Sequence, residues 1–257
     1  MPAPHWPAMT AFFLASRLPA ARPAQRGAAA LEFTLAAALV LLLALATVEA
    51  ARWQVTRQVA HLALLQAARA GATAHADPTR IRAAFQEALL PLHAGAGGEA
   101  GARRRLARNQ ARIAAQVGAS PWRIEILRPD AQAFRDHARP GLRTGAPADL
   151  PAIDNAHQPL QYKRRPDLPD SRSIFLANTL RLRLTYLYRP LLAPLRTLLA
   201  ALARTDGSYA AAAWANGLAP ITLELELEMH SHPVDWRGGQ PYPAGMVAGA
   251  CRSLHCP

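Results

Sequence analysis

The chain has a single lysine, Lys163, among 257 residues, so its net charge of +12 comes almost wholly from arginine. Arginine beside abundant alanine and proline is the bias of a GC-rich coding sequence. Charge alone therefore does not argue for nucleic acid, which is not expected as a partner. Aromatic residues are scarce at 6%, although 51% of the chain is apolar, and alanine and leucine make up the difference. The two cysteines, Cys251 and Cys256, are too few and too closely spaced for a zinc ribbon.

Chemistry-bearing patterns are also missing. No glycine loop is arranged to cradle phosphate, and the "GAGG" at 95–98 reads as a joint. Ser231 and Ser253 lack the context of a nucleophile elbow. His230, His232 and Asp235 could bring two imidazoles and a carboxylate to one strand end, but no third histidine or general base lies near them in sequence. No metal, cofactor or catalytic residue is expected, and the protein is not read as an enzyme.

Charge is absent from Phe33 to Val48. From Ala28 to Ala51 the apolar stretch is roughly 24 residues, or about 36 Å of helix against a hydrocarbon core near 30 Å. It is expected to cross a membrane once. Arg17, Arg22 and Arg26 precede it with no acid among them, which places the N-terminus in the cytoplasm and the rest in the periplasm. A cleaved secretory signal would end near "ALATVEA". The helical pattern instead continues through Val55, Val59 and Leu62 towards Gly71, which favours a retained anchor. In an oxidising compartment Cys251 and Cys256 are expected to form a disulfide.

Glu32 interrupts this picture, being a carboxylate at the edge of the apolar run. The stretch Gly27-Ala28-Ala29-Ala30-Leu31-Glu32-Phe33 resembles a type IV prepilin processing site. "RGAAALEFTLAAALVLLLALATVEAARWQV" as a whole resembles the TadE-like proteins of the tight-adherence (Flp) pilus system, with Glu49 and Arg52 as the acidic residue and the arginine that follow the leucine run. The resemblance covers roughly residues 25 to 75. It implies cleavage by a prepilin peptidase between Gly27 and Ala28, with Glu32 and Phe33 as assembly determinants. It also implies other pilus or pseudopilus subunits and the inner membrane as partners.

Physical chemistry gives Glu32 a reason. A new α-amino group at Ala28, of ordinary pKa near 8, would be mostly protonated. An isolated carboxylate inside a bilayer costs about 2–3 kcal/mol or more. Pairing with a neighbouring subunit's ammonium offsets that cost and sets register. The alternative is a glutamate reaching up to the headgroups.

Beyond the stem, Asp77-Pro78 predicts a helix start, with Ile81, Phe85, Ala88 and Leu92 on one face. A basic helix rich in arginine at 103–105, 108 and 112 closes at Gly118. "WRIEIL" at 122–127 alternates as a strand does. Residues 129 to 172 hold many prolines and no period, and read as a mobile surface insertion. Two strands follow, one at 178–189 with an outward row of Arg181, Arg183 and Arg189, the other at 220–230 with an outward row of Glu224, Glu226 and Glu228. They are expected to pair antiparallel with these rows facing, and "LLAPLRTLLAALAR" between them to form a helix over the sheet's apolar face.

The expected fold class is α+β: a long N-terminal transmembrane helix, then a periplasmic domain of helices with a small antiparallel sheet. Its divisions are a leader at 1–27, a span at 28–51, a helical stem at 52–76 and a head at 77–257. The resemblance implies a pilin-related subunit of Flp-type pilus assembly. A minor pseudopilin of a related secretion system and an uncleaved membrane-anchored binding protein are the rival readings.

Overall fold

The computed structural model describes residues 26–147 and 149–256, so the leader apart from its last two residues lies outside the described residues. The chain forms two compact units, 1–44 and 45–257. The long helix α1 (Arg26–Thr73) runs through both, and the second unit holds every later element. These are α2 (Pro78–Ala88), α3 (Gly98–Val117), β1 (Trp122–Arg128), α4 (Ala131–His137), α5 (Gln158–Arg164), α6 (Ile174–Ala177), β2 (Thr179–Tyr188), α7 (Ala193–Ala201), α8 (Tyr209–Ala215), β3 (Ala219–Glu228) and β4 (Met246–Ala248).

In the second unit, α1 acquires a buried stripe. Ala60, Ala63, Leu64, Ala67, Ala68 and Ala72 are wholly buried, at the spacing that puts them on one helix face. Alanine and glycine there let the helix come close to its neighbours. A Cβ on Gly71 would lie 2.8 Å from Ile81 and 2.9 Å from Leu180. The chain then reverses through His75 and Ala76, both at positive φ. Asp77 caps α2 by accepting from the Thr79 amide at 2.7 Å, with Pro78 at its first turn. α3 ends, as its sequence indicates, on the left-handed Gly118.

The sheet has the order β3-β2-β1-β4. β2 is antiparallel to both β1 and β3, while β4 lies parallel to β1 and makes the sheet mixed. Alternation decides the faces of β2: Leu180, Leu182, Leu184, Tyr186 and Tyr188 join Trp122, Ile124, Ile221 and Leu223 against α1 and α2. Phe85 meets Trp122 edge-on with ring centroids 4.9 Å apart. A smaller cluster joins α3, β2 and α8 through Ile113, Val117, Leu187, Tyr209, Ala213 and Leu218.

Three expectations need correction. α7 does not cover the sheet's apolar face; α1 and α2 do, and Leu191, Leu198 and Leu202 around α7 are exposed while Leu199 is buried. β1 is buried on both faces rather than one, because Arg123 and Glu125 are taken up by neighbouring groups. The segment 129–172 is folded onto the molecule. Phe134 and Ile153 pack with Ile174 and Ala177, and Leu150 and Ala152 pack with Val234. Its polar groups are also spoken for: Asp154 accepts from Arg139 and from the Ala156 amide, and the Asn155 side-chain amide donates to the Met229 carbonyl at 2.7 Å.

Candidate assembly and anchoring site

Gly27 and Ala28 lie in the first turn of α1, where the expected cut would fall. Four to five residues on, Glu32 is exposed and Phe33 is 72% exposed. Leu35, Leu39, Leu41, Leu42 and Leu43 are exposed likewise. No described side chain forms an ion pair with Glu32. Such a run of bare leucine has no stable place in water, whereas in hydrocarbon its backbone is satisfied and its side chains match their surroundings. The helix is long and apolar enough to cross a membrane, which is consistent with membrane anchoring.

At the start of the second unit, α1 carries a second carboxylate, Glu49, and this one is buried. Tyr188 donates to Glu49 Oε1 at 2.5 Å. The amides of Leu191 and Leu192 donate to Oε2 at 2.8 Å and 3.1 Å. Both carboxylate oxygens are therefore committed, and the end of β2 and the entry to α7 are tied to α1. Burial, and after it the Glu49 bond, push the Tyr188 phenol above its ordinary range, so it remains a donor. The sequence placed Glu49 before an arginine but carried no sign of these partners, which lie about 140 residues away.

On the sheet face opposite α1, the arginine and glutamate rows meet. Arg183 pairs with Glu224 at 2.6 Å and with Glu125 at 3.2 Å, and Arg181 with Glu224 at 2.7 Å and Glu226 at 3.2 Å. The guanidinium of Arg181, then that of Arg183, hold the Glu224 carboxyl below its usual value. Arg189, expected in the same row, lies past the end of β2 beside a cavity.

Cys251 and Cys256 are joined in a disulfide with Cα atoms 6.2 Å apart. The closed loop is held from β1: Arg123 donates to the carbonyls of Cys251, Ser253 and Leu254 at 3.1, 2.9 and 2.7 Å, its guanidinium 4.1 Å from the Tyr209 ring centre. The side chains of His232 and Asp235 are taken up structurally, and His230 is held through its backbone with its imidazole exposed. The His230 amide donates to the Ala72 carbonyl, His232 Nδ1 accepts from the Asn155 amide, and Asp235 pairs with Arg237.

Fold and geometry define an α+β protein with one N-terminal helix suited to a membrane. Residues 27–69 match the family model described as TadE-like protein, so the chain carries a TadE-like protein family domain over that stretch. The domain includes Gly27, Glu32 and Phe33 and extends through Glu49 into the alanine stripe. No curated protein and no solved structure matches the chain.

Proposed function

We propose that this chain is a pilin-related subunit of the inner membrane that takes part in assembling a Flp/Tad-type pilus. A TadE-like domain suggests a pilin-like protein associated with the Tad pilus, and TadE-like pilin-like proteins are structural and non-enzymatic. The observation that carries the reading is the coincidence of that domain with the apolar half of α1, headed by Gly27 and marked by Glu32.

In this reading a prepilin peptidase cuts after Gly27 and leaves Ala28 as the mature N-terminus. The helix remains in the bilayer with its N-terminus cytoplasmic and the α+β head periplasmic, where the Cys251–Cys256 disulfide is kept oxidised. Glu32 meets the α-amino group of a neighbouring subunit, and Phe33 packs at the same contact. The test is the intact mass of the membrane-extracted protein. A chain beginning at Ala28 is the expected result. A start after Ala50, or an uncut chain in cells with an active prepilin peptidase, overturns the proposal.

A further inference from the structure

Several arginines have a carboxylate beside them: Arg103 has Glu87 and Glu99, Arg172 has Asp136, and Arg181 and Arg183 share Glu224. Four others converge on one space instead. A cavity of about 460 Å³ in the second unit is lined by Arg52 of α1, Arg112 of α3, Arg189 after β2 and Arg196 of α7. None of the four forms an ion pair among the described residues, although Glu49 lies near enough to Arg52 to attract it electrostatically. Burial, then the like charges of Arg112 and Arg196, depress the Arg189 guanidinium from its ordinary value.

Gathering like charges around one space is unfavourable until an anion enters it. The cluster is also partly oriented in advance. Arg196 Nη1 donates to the carbonyls of Pro190 and Leu191, and Arg112 Nη2 to Asn109 Oδ1, which leaves their other N–H groups for a ligand. Guanidinium forks match the oxygens of a phosphate. His93, on the same wall, has a buried Nε2 with no hydrogen-bond partner.

We infer that this cavity is a headgroup site for an anionic phospholipid, the four arginines holding its phosphate. The inference rests on the membrane-anchor reading, because Arg52 is the first residue beyond the expected span. The bonds from Leu191 and Leu192 to Glu49 fix the entry to α7 one helical turn before Arg52. Leu191, 53% exposed, lines the cavity beside the arginines and offers an apolar surface suited to the acyl side of a headgroup layer. Basic pockets between transmembrane helices bind anionic headgroups on the cytoplasmic side, and the same phosphate chemistry is offered here to the periplasmic leaflet.

The experiment uses the full chain in mixed micelles with equimolar phosphatidylglycerol and phosphatidylcholine, bound lipid being counted by native mass spectrometry. Phosphatidylglycerol should be retained roughly tenfold over phosphatidylcholine. The pair Arg112→Gln with Arg189→Gln should bring the ratio near one, while Arg104→Gln with Arg108→Gln, an equal charge change elsewhere on α3, should leave it intact. Arg189→Gln alone should lower the ratio in the same direction and carries the test if the double variant misfolds. Equal retention of the two lipids, or selectivity surviving in the Arg112/Arg189 variant, overturns the site. Displacement of the lipid by millimolar inorganic phosphate assigns the cavity to the free anion and overturns the lipid. Selectivity kept while co-purification with other pilus subunits is lost makes it a protein contact, which also overturns the assignment. Carbonate extraction is read separately. Release from the membrane defeats the anchor reading and the lipid site with it, whereas retention without lipid preference defeats the site alone.

Discussion

The Tyr188 hydroxyl donates to Glu49 at 2.5 Å, joining the end of β2 to the long helix α1. Removing the carboxylate by Glu49→Ala leaves the Tyr188 hydroxyl and the Leu191 and Leu192 amides without their acceptor. An unmet buried donor costs on the order of 1–3 kcal/mol. Thermal unfolding of the detergent-solubilised chain should shift down clearly for Glu49→Ala and less for Glu49→Gln, which keeps one acceptor oxygen. An unshifted Glu49→Ala would mean that this tie contributes nothing.

The register of β2 and β3 sets Arg183 opposite Glu224 and Arg181 opposite Glu226. Cross-strand ion pairs contribute roughly 0.2–1 kcal/mol each, and like charges repel by a similar amount. Arg183→Glu should therefore lower the melting temperature, since the new carboxylate faces Glu224 and Glu125. Adding Glu224→Arg should recover part of the loss, and the recovery should exceed that from Glu226→Arg, one pair further along the strand. Equal recovery from both would show that the charges act diffusely rather than as opposed pairs.

Acid should weaken the same network. Arg181 and Arg183 hold the Glu224 carboxyl below its ordinary value of 4.5. A depressed folded value means that the stabilisation is complete above the unfolded value and is lost as pH falls through the folded one. The gap in stability between the native chain and Glu224→Gln should be constant near neutrality and shrink below about pH 4.5. A gap that widens on acidification has the wrong sign for this mechanism.

Much of this face was legible beforehand, because period-two alternation in β2 and β3 fixes which side chains share a side. The helix punctuation was equally local: Asp77-Pro78 and Gly118 act through their own backbone geometry. What escaped was decided at long range. β4 is three residues long, too short to show a period, and exists because the Gly245 carbonyl and its neighbours meet β1. The segment 129–172 looked structureless because its apolar anchors, Phe134, Leu150 and Ile153, are spaced by loops rather than by a helix or strand repeat. α7 has a good amphipathic pattern, yet the core place expected for it was already filled by the alanine stripe of α1. The arginine cavity had no local signature either, since its residues come from four separate segments.

Arg123 and the Cys251–Cys256 disulfide both restrain the C-terminal loop, and their contributions should be unequal. Closing a loop this short is worth about 2 kcal/mol in the chain-entropy account. Arg123 instead serves three carbonyls with a charged donor, and replacing it by alanine should cost about 3 kcal/mol or more. Melting with and without reductant, beside the Arg123→Ala variant, gives the order. A larger drop on reduction than on Arg123→Ala would reverse it.

Glu32→Gln keeps size and nearly all helix propensity while removing the charge. Insertion should be unchanged or improved, because a carboxylate has left the apolar segment. Processing should persist, since the proposed cut depends on Gly27. Incorporation should fall: normal amounts in the membrane, with less co-purifying with other pilus components. Measuring cleavage and co-purification in one strain separates these outcomes, and undiminished co-purification would remove the proposed role of Glu32.

The alanine stripe of α1 also fixes where this chain can be divided. Ala60 to Ala72 form one wall of the core, packed with Phe85 against the sheet face that carries Trp122. Proteolysis after Thr73 would release a fragment whose sheet has lost that wall, so it should aggregate rather than survive as a free domain. A viable soluble fragment has to keep α1 from before Glu49, retaining both the stripe and the carboxylate that holds Tyr188. The natural seam of the molecule therefore lies inside a continuous helix, where no loop, glycine run or change of secondary structure announces it.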